Sequence, residues 1–370
     1  MSRPTSGAVT RRVSRLFVIV TALAVIIGPV AAAPGGPGSA GPTARLLPIG
    51  PAPIEDGLLT ELREGTTDRF VVEFSERPDL GPARDVANFR ARGQFVLDAL
   101  RGAAARSQAA AVALVRSTRA ATAQSFWLRN TLLVTGDEQL AEQLARLPGV
   151  EEVRAERVFP VIEPVERQAV LLEEGSAPEW GVAKIGADAV WAEGITGSGI
   201  VVGNVDSGVQ YDHEALVNQY RGNLGGGDFD HNYSWWDPTG ICGAVPCDTT
   251  GPGTHTMGTM VGGDGPGPFT PDVGVAPDAR WIAAKGCEDT FCSEGALLSA
   301  GQFILAPTDL AGANPDPGRR PDIVNNSWGG GPGDEFYADV VGAWRAAGIV
   351  PVFSSGNAGP GCESAGSPGD

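Results

Sequence analysis

Between residues 200 and 353, short apolar runs alternate with helical stretches, and this alternation restricts the fold more than any other feature of the chain. The runs fall at 200–205, 281–284, 322–325 and 349–353, with helical patterns at 293–305 and 334–347. Strands that are apolar on nearly every residue, rather than on alternate ones, are buried on both faces. Alternation of such strands with helices predicts an α/β architecture, a parallel sheet with helices on both faces. In a sheet of this kind the ligand site lies beyond the carboxyl ends of the strands. The polar clusters that directly follow the runs are therefore the places to look for chemistry.

The sequence ahead of this region reads as several shorter units. Arg11, Arg12 and Arg15 precede an apolar run at 16–30, and Ala31, Ala32 and Ala33 offer small residues for cleavage. Residues 1–33 are expected to be a signal peptide, since the run is too short for a comfortable membrane span. Residues 34–66, rich in Pro and Gly without periodicity, read as a flexible lead-in. From 67 to 162 the order is β-α-β-α-β. A strand falls at 69–74, an Ala-rich helix at about 83–120, and one or two strands at 126–134. A helix then starts at Asp137, with Leu140, Leu144 and Leu147 on one face, and stops at Pro148-Gly149. A final β pattern covers 150–161. This order predicts a small open-faced α+β sandwich of ferredoxin-like type. Residues 163–178 read as a linker, and 179–370 as the α/β domain.

Charge and cysteines bound the setting. Residues 1–162 hold 19 basic and 16 acidic side chains, a net of +3, whereas 163–370 hold 8 and 28, a net of −20. So acidic a second half repels phosphate backbones and argues against a nucleic-acid partner. Cys242 and Cys247 have the same spacing as Cys287 and Cys292, which suits local disulfide loops in an oxidising compartment. Cys362 is left over, and a partner beyond residue 370 is expected for it. The mature protein is expected to be secreted and extracellular.

Three clusters carry candidate chemistry. Asp206-Ser207-Gly208 ends the first apolar run, although Asp-Ser-Gly is commonly only a turn. Gly251 to Thr259 sets His255 in a Gly-Thr frame that packing alone would not need. His213, beside Asp212, and His231, near Tyr233, Trp235 and Trp236, read as structural. Ser354-Ser355-Gly356-Asn357 follows the last run, where Asn357 is either a left-handed turn residue or an amide aimed at an oxyanion.

Taken together, these clusters resemble the subtilase family of serine proteases, peptidase S8, over most of 180–370. Asp206 is similar to the family's Asp-Ser/Thr-Gly motif, His255 to its Gly-Thr-His motif, and Gly356-Asn357 to its oxyanion asparagine. Asn325-Asn326-Ser327-Trp328-Gly329 resembles its substrate-strand motif. Gly194 to Gly199 resembles the loop leading into the first catalytic strand. Tyr233 to Asp237 and Ala283 to Cys287 look most like the bacillopeptidase F-like branch, and 67–162 resembles the family's inhibitor I9-like prodomain. The resemblance implies acyl transfer, with His255 moving the proton of a serine, Asp206 holding the imidazole and Asn357 donating to the oxyanion. Ser327, Trp328 and Gly329 would pair with the substrate backbone as an added strand. The implied partners are polypeptide substrates and the chain's own prodomain, whose segment around 159–164 would thread the cleft. The chemistry needs no cofactor. Structural calcium fits the resemblance, with no metal ligands legible.

Two departures stand out. Where the family often has His-Gly-Thr-His, this chain has Pro252-Gly253-Thr254-His255, so the first histidine is replaced by proline while the one expected to be catalytic, His255, is intact. The family's Gly-Thr-Ser-Met-Ala nucleophile element occurs nowhere in the 370 residues, so the serine is expected beyond Asp370 and this stretch alone is expected to be inactive. The competing readings are a secreted pseudoprotease that binds peptides without cutting them, and a different hydrolase working with two carboxylates.

Overall fold

The computed structural model describes residues 50–161, 179–263 and 273–370. The expected signal peptide at 1–33 and linker at 163–178 lie outside the described residues, as does the lead-in up to residue 49. The lead-in expectation is corrected over 50–66. Helix α1 (Leu58–Glu64) is bracketed by Gly57 and Gly65, both at positive φ, and buries Leu58 and Leu62. Ile54 meanwhile bridges to Val153. The glycines that read as flexible are the caps of a short packed helix.

The first sheet follows the expected order. It is built from β1 (Arg69–Phe74), α2 (Phe89–Ser107), α3 (Ala109–Ser117), β2 (Thr122–Phe126), β3 (Thr131–Thr135), α4 (Glu138–Ala145) and β4 (Val150–Ala155). The strands are antiparallel where paired, in the order β2-β3-β1-β4. Asp137 caps α4 by accepting the Leu140 N–H at 2.9 Å, and Leu140 and Leu144 are buried beneath it. The single helix expected at 83–120 is instead a 3₁₀ turn followed by α2 and α3. The break falls at Gln108, whose side chain donates to Asn130 Oδ1 at 3.0 Å and accepts from Ser125 Oγ at 2.5 Å. Gln108 is thus used to tie the helices to the β2–β3 hairpin.

The second layer begins with β5 (Val158–Pro160), α5 (Trp180–Ile185), α6 (Ala187–Ala192) and β6 (Val201–Asp206). A small hairpin, β7 (Asn223–Gly225) and β8 (Asp228–Phe229), leads to β9 (Trp235–Trp236) and α7 (Pro252–Val261). Then come β10 (Arg280–Lys285), β11 (Phe291–Ser293), α8 (Glu294–Leu305), β12 (Ile323–Asn326), α9 (Ala338–Ala347) and β13 (Val350–Phe353). Five of these strands form a parallel sheet in the order β13-β12-β6-β10-β9. The parallel α/β expectation holds, with strand bounds within about a residue of those read from the apolar runs.

Helix α8 joins the two layers. All its residues except Gln302 are buried, as a helix apolar on every side requires. One continuous core includes Val71 and Leu133 of the first sheet, Leu297 and Ile304 of α8, and Val205 and Ile282 of the second sheet. Buried Arg154 on β4 reinforces the join, reaching Glu73 on β1 at 2.5 Å and Glu294 on α8 at 2.6 Å.

Candidate active site

Asp206 is the last residue of β6 and is buried. The chain turns away at Gly208, φ 114°, where a Cβ would lie 2.0 Å from the Cys247 carbonyl oxygen, so only glycine fits. Asp206 Oδ1 accepts the Ser207 N–H at 2.7 Å, and Oδ2 accepts the Thr256 hydroxyl at 3.0 Å. Burial pushes its carboxyl up to about 7, with the Ser207 N–H and the Thr256 hydroxyl opposing and Asp248 adding to the rise. Across the sheet Lys285, fully buried, donates to the Ser207 carbonyl at 2.6 Å, and burial pulls its ammonium below the ordinary range.

Helix α7 is pinned beside this carboxylate. Asp248 accepts the Thr254 N–H at 2.8 Å and the Gly251 N–H at 2.9 Å, capping its first turn, and also accepts from Ser207 Oγ at 3.0 Å. Asn204 donates to the Gly253 carbonyl and to Thr256 Oγ1, both at 3.1 Å. A Cβ on Gly253 would stand 3.1 Å from Asp206 Cβ. Gly253 and Thr256 therefore define the side of α7 that faces Asp206.

The expected bond between Asp206 and His255 is not formed. His255 is exposed, and its imidazole makes no hydrogen bond or ion pair among the described residues. Helix phase explains this. Successive residues are spaced about 100° around the axis, so position 255 lies about 130° from the middle of the arc between 253 and 256. Position 252 lies only about 70° from it, one turn below Thr256. The place on α7 best set to bring an imidazole to Asp206 is thus held by Pro252. His255, the residue expected to act as acid and base, lies on the side of α7 turned away from Asp206.

Ser327, Trp328 and Gly329, expected to pair with a substrate strand, directly follow β12. Ser327 Oγ accepts from Asn325 Nδ2 at 2.9 Å. Trp328 is buried, edge-on to Tyr337 at 4.7 Å. Residues 158–161 run between two segments of the site. β5 pairs antiparallel with β11, Phe159 opposite Cys292, and Val161 bridges antiparallel to Trp328. Phe159 sits 6.0 Å from the Trp328 ring, 4.9 Å from Phe336, and against Gly330. The Cys287–Cys292 disulfide, both sulfurs buried, ties β11 to the end of β10, and Cys242–Cys247 closes the loop behind Gly208. Asn357 is exposed on the turn after β13, past Gly356 at φ 84°. Asp206, Ser327 and Asn357 all leave the carboxyl ends of neighbouring parallel strands, on one rim of the sheet.

No group of three or more His, Cys, Asp or Glu among the described residues is placed to hold a metal ion, so the calcium allowed by resemblance is assigned no ligands. Sequence reasoning gave no site role to Thr256, Asp248, Lys285 or Phe336, although Thr256 falls in the 251–259 cluster and Lys285 in the 283–287 stretch.

Residues 197–370 match the subtilase family model, Peptidase S8. Bacillopeptidase F of Bacillus subtilis (strain 168) is 39% identical over 242 residues, covering 63% of this chain and 16% of that protein. The minor extracellular protease Vpr of the same organism is 29% identical over 244 residues, 62% of this chain and 27% of its own length. The chain thus spans only a small part of these relatives. Among solved structures, fervidolysin from Fervidobacterium pennivorans superposes with a TM-score of 0.50 at 16% identity, covering 84% of this chain and 42% of that one. The fold is subtilisin-like.

Proposed function

We propose that this chain, which carries a subtilase domain at 197–370, is part of the precursor of a secreted serine endopeptidase, with residues 67–162 as its prodomain. The observation that carries the reading is the strand 158–161, laid between β11 and Trp328. Main-chain pairing of this kind accepts many sequences, which suits hydrolysis of extended polypeptide. The prodomain's last strand occupies the place that substrate takes and so inhibits in cis. In the acyl-transfer scheme an imidazole takes the proton of the attacking serine and gives it to the leaving amine, Asp206 holds that imidazolium and Asn357 donates to the oxyanion. His255 serves as this base only if the first turn of α7 rotates to bring it to Asp206. No cofactor takes part.

A second reading has its own observation. With Pro252 on the side of α7 facing Asp206 and the His255 imidazole outside, the chain binds polypeptide strands without cutting them. The two are separated by extending the chain with its natural downstream sequence and measuring fluorophosphonate labelling and casein hydrolysis. Labelling with hydrolysis supports the endopeptidase. A folded product that retains peptide but neither labels nor hydrolyses supports the second reading.

A further inference from the structure

We propose that the cleft selects a cationic side chain two residues ahead of an aromatic one, read by Asp334 and the ring of Phe336. The inference rests on the strand-binding reading above and names the class of peptide it takes. Along residues 157–161 the side chains alternate in the way a half-buried strand requires. Phe159 is buried and Arg157 and Val161 are half-buried, whereas Val158 and Pro160 face solvent.

Arg157 Nη1 lies 2.7 Å from Asp334 Oδ1, and its guanidinium stands 5.9 Å from the centre of the Phe336 ring. Asp334 is held for this task. Its N–H donates to Ser367 Oγ at 2.8 Å, and its Oδ1 accepts the Phe336 N–H at 2.9 Å. Phe336 also stacks on Phe159 at 4.9 Å, so a single residue touches both side chains and fixes the two-residue spacing between cation and aromatic. The main chain keeps its register at this end. The Arg157 N–H donates to Glu294 Oε2 at 3.1 Å, and the Arg157 carbonyl accepts the Glu294 N–H at 3.0 Å. A second guanidinium, Arg129, lies 5.3 Å from the Phe336 ring, but it is paired with Glu73 at 3.1 Å and belongs to the prodomain. The ligand class is therefore an extended peptide with Arg or Lys, then any residue, then an aromatic, with an apolar side chain two positions further on.

The Arg157 and Asp334 side chains are 40% and 32% exposed, so the preference is modest. An exposed ion pair together with a cation–π contact corresponds to a discrimination of about fivefold. The test uses the full chain bearing Phe159→Ala, which removes the anchor of its own strand. Fluorescein-labelled Arg-Val-Phe-Pro-Val and Gln-Val-Phe-Pro-Val peptides are titrated by anisotropy. The arginine peptide is expected to bind about fivefold tighter, and Asp334→Asn in the same background is expected to cut the difference to about twofold, the share left to the Phe336 ring. In the otherwise unaltered chain, Asp334→Asn is expected to speed amide exchange over 157–161 by a similar factor, while Val158→Ala leaves it unchanged. Equal affinities with both peptides bound, a preference undiminished by Asp334→Asn, or unchanged exchange overturns the inference and leaves the cleft reading standing. Failure of both peptides to bind, with exchange over 157–161 as fast as in an unpaired segment, overturns the cleft reading itself.

Discussion

Replacing Asp206 with asparagine tests whether this carboxylate lacks an imidazole partner. Its folded-state pKa is raised from 3.8 to about 7, chiefly by burial. In the unfolded chain the group ionises near pH 4, whereas in the folded chain it keeps its proton until about pH 7. Between those values the folded state binds more protons, so stability falls as pH rises, by up to about 1.4 kcal/mol per pH unit. A rise of about three units sets a ceiling of about 4 kcal/mol on this loss, complete above pH 7. Asparagine fits the same contacts, since its carbonyl can accept the Ser207 N–H while its amide donates to Thr256 Oγ1. That hydroxyl keeps the Gly253 carbonyl at 3.1 Å as an acceptor. Asp206→Asn is therefore expected to match the parent at pH 4.5 and to exceed its stability at pH 8 by a few kcal/mol. Urea titrations from pH 4.5 to 8, followed by the fluorescence of buried Trp235, Trp281, Trp328 and Trp344, measure this directly. Parallel pH profiles for the two proteins would refute the argument. They would mean that a cation, the His255 imidazole first among candidates, already partners the carboxylate.

Pro252→His is expected to supply the missing partner, lowering the Asp206 pKa from about 7 and raising that of the new imidazole, as read by NMR titration. On the endopeptidase reading, the same change in a chain that includes the proposed serine is expected to raise peptide hydrolysis above the parent. Arg154→Met leaves Glu73 and Glu294 buried without their shared cation, and should cost about 3–5 kcal/mol, visible as faster amide exchange across β1, β4 and the start of α8. Replacing Cys287 and Cys292 together by serine opens a short loop and should cost about 2 kcal/mol in denaturant titration, with exchange at β11 affected first.

How far the sequence could be read depended on the kind of signal each part carried. The parallel strands were legible because burial on both faces leaves nearly unbroken apolar runs, and Asp137 and Pro148-Gly149 marked the ends of α4 by their chemistry. The break at Gln108 was not legible, because it comes from contacts with Asn130 and Ser125 made only after the hairpin folds. α1 was missed because Gly57 and Gly65 looked like loop residues until Leu58 and Leu62 had a sheet to pack on. Asp206 could be placed from its position at a strand end. The phase of α7 could not, since which of residues 252 and 255 faces β6 depends on where Asp248 and Asn204 pin the first turn.

On the proposed reading, recognition and chemistry rest on separate parts of this molecule, so the cleft can persist whether or not a base stands beside Asp206. The proposed strand-binding site is made by β11, fixed through the Cys287–Cys292 bridge, and by Trp328, packed on Tyr337, which in turn meets Phe336. None of these contacts involves α7. The surroundings of Asp206 depend instead on Thr256, Asp248, Asn204 and Lys285, which hold the helix and the turn whether residue 252 is proline or histidine. Proline suits the first position of a helix, where its missing N–H would have no partner and its φ is already set. A histidine-to-proline exchange at that one position can therefore remove an acid–base group without disturbing either the fold or the groove that holds an extended peptide. Peptide affinity and hydrolysis should accordingly respond to different substitutions, Asp334 and Phe336 governing the first and position 252 the second.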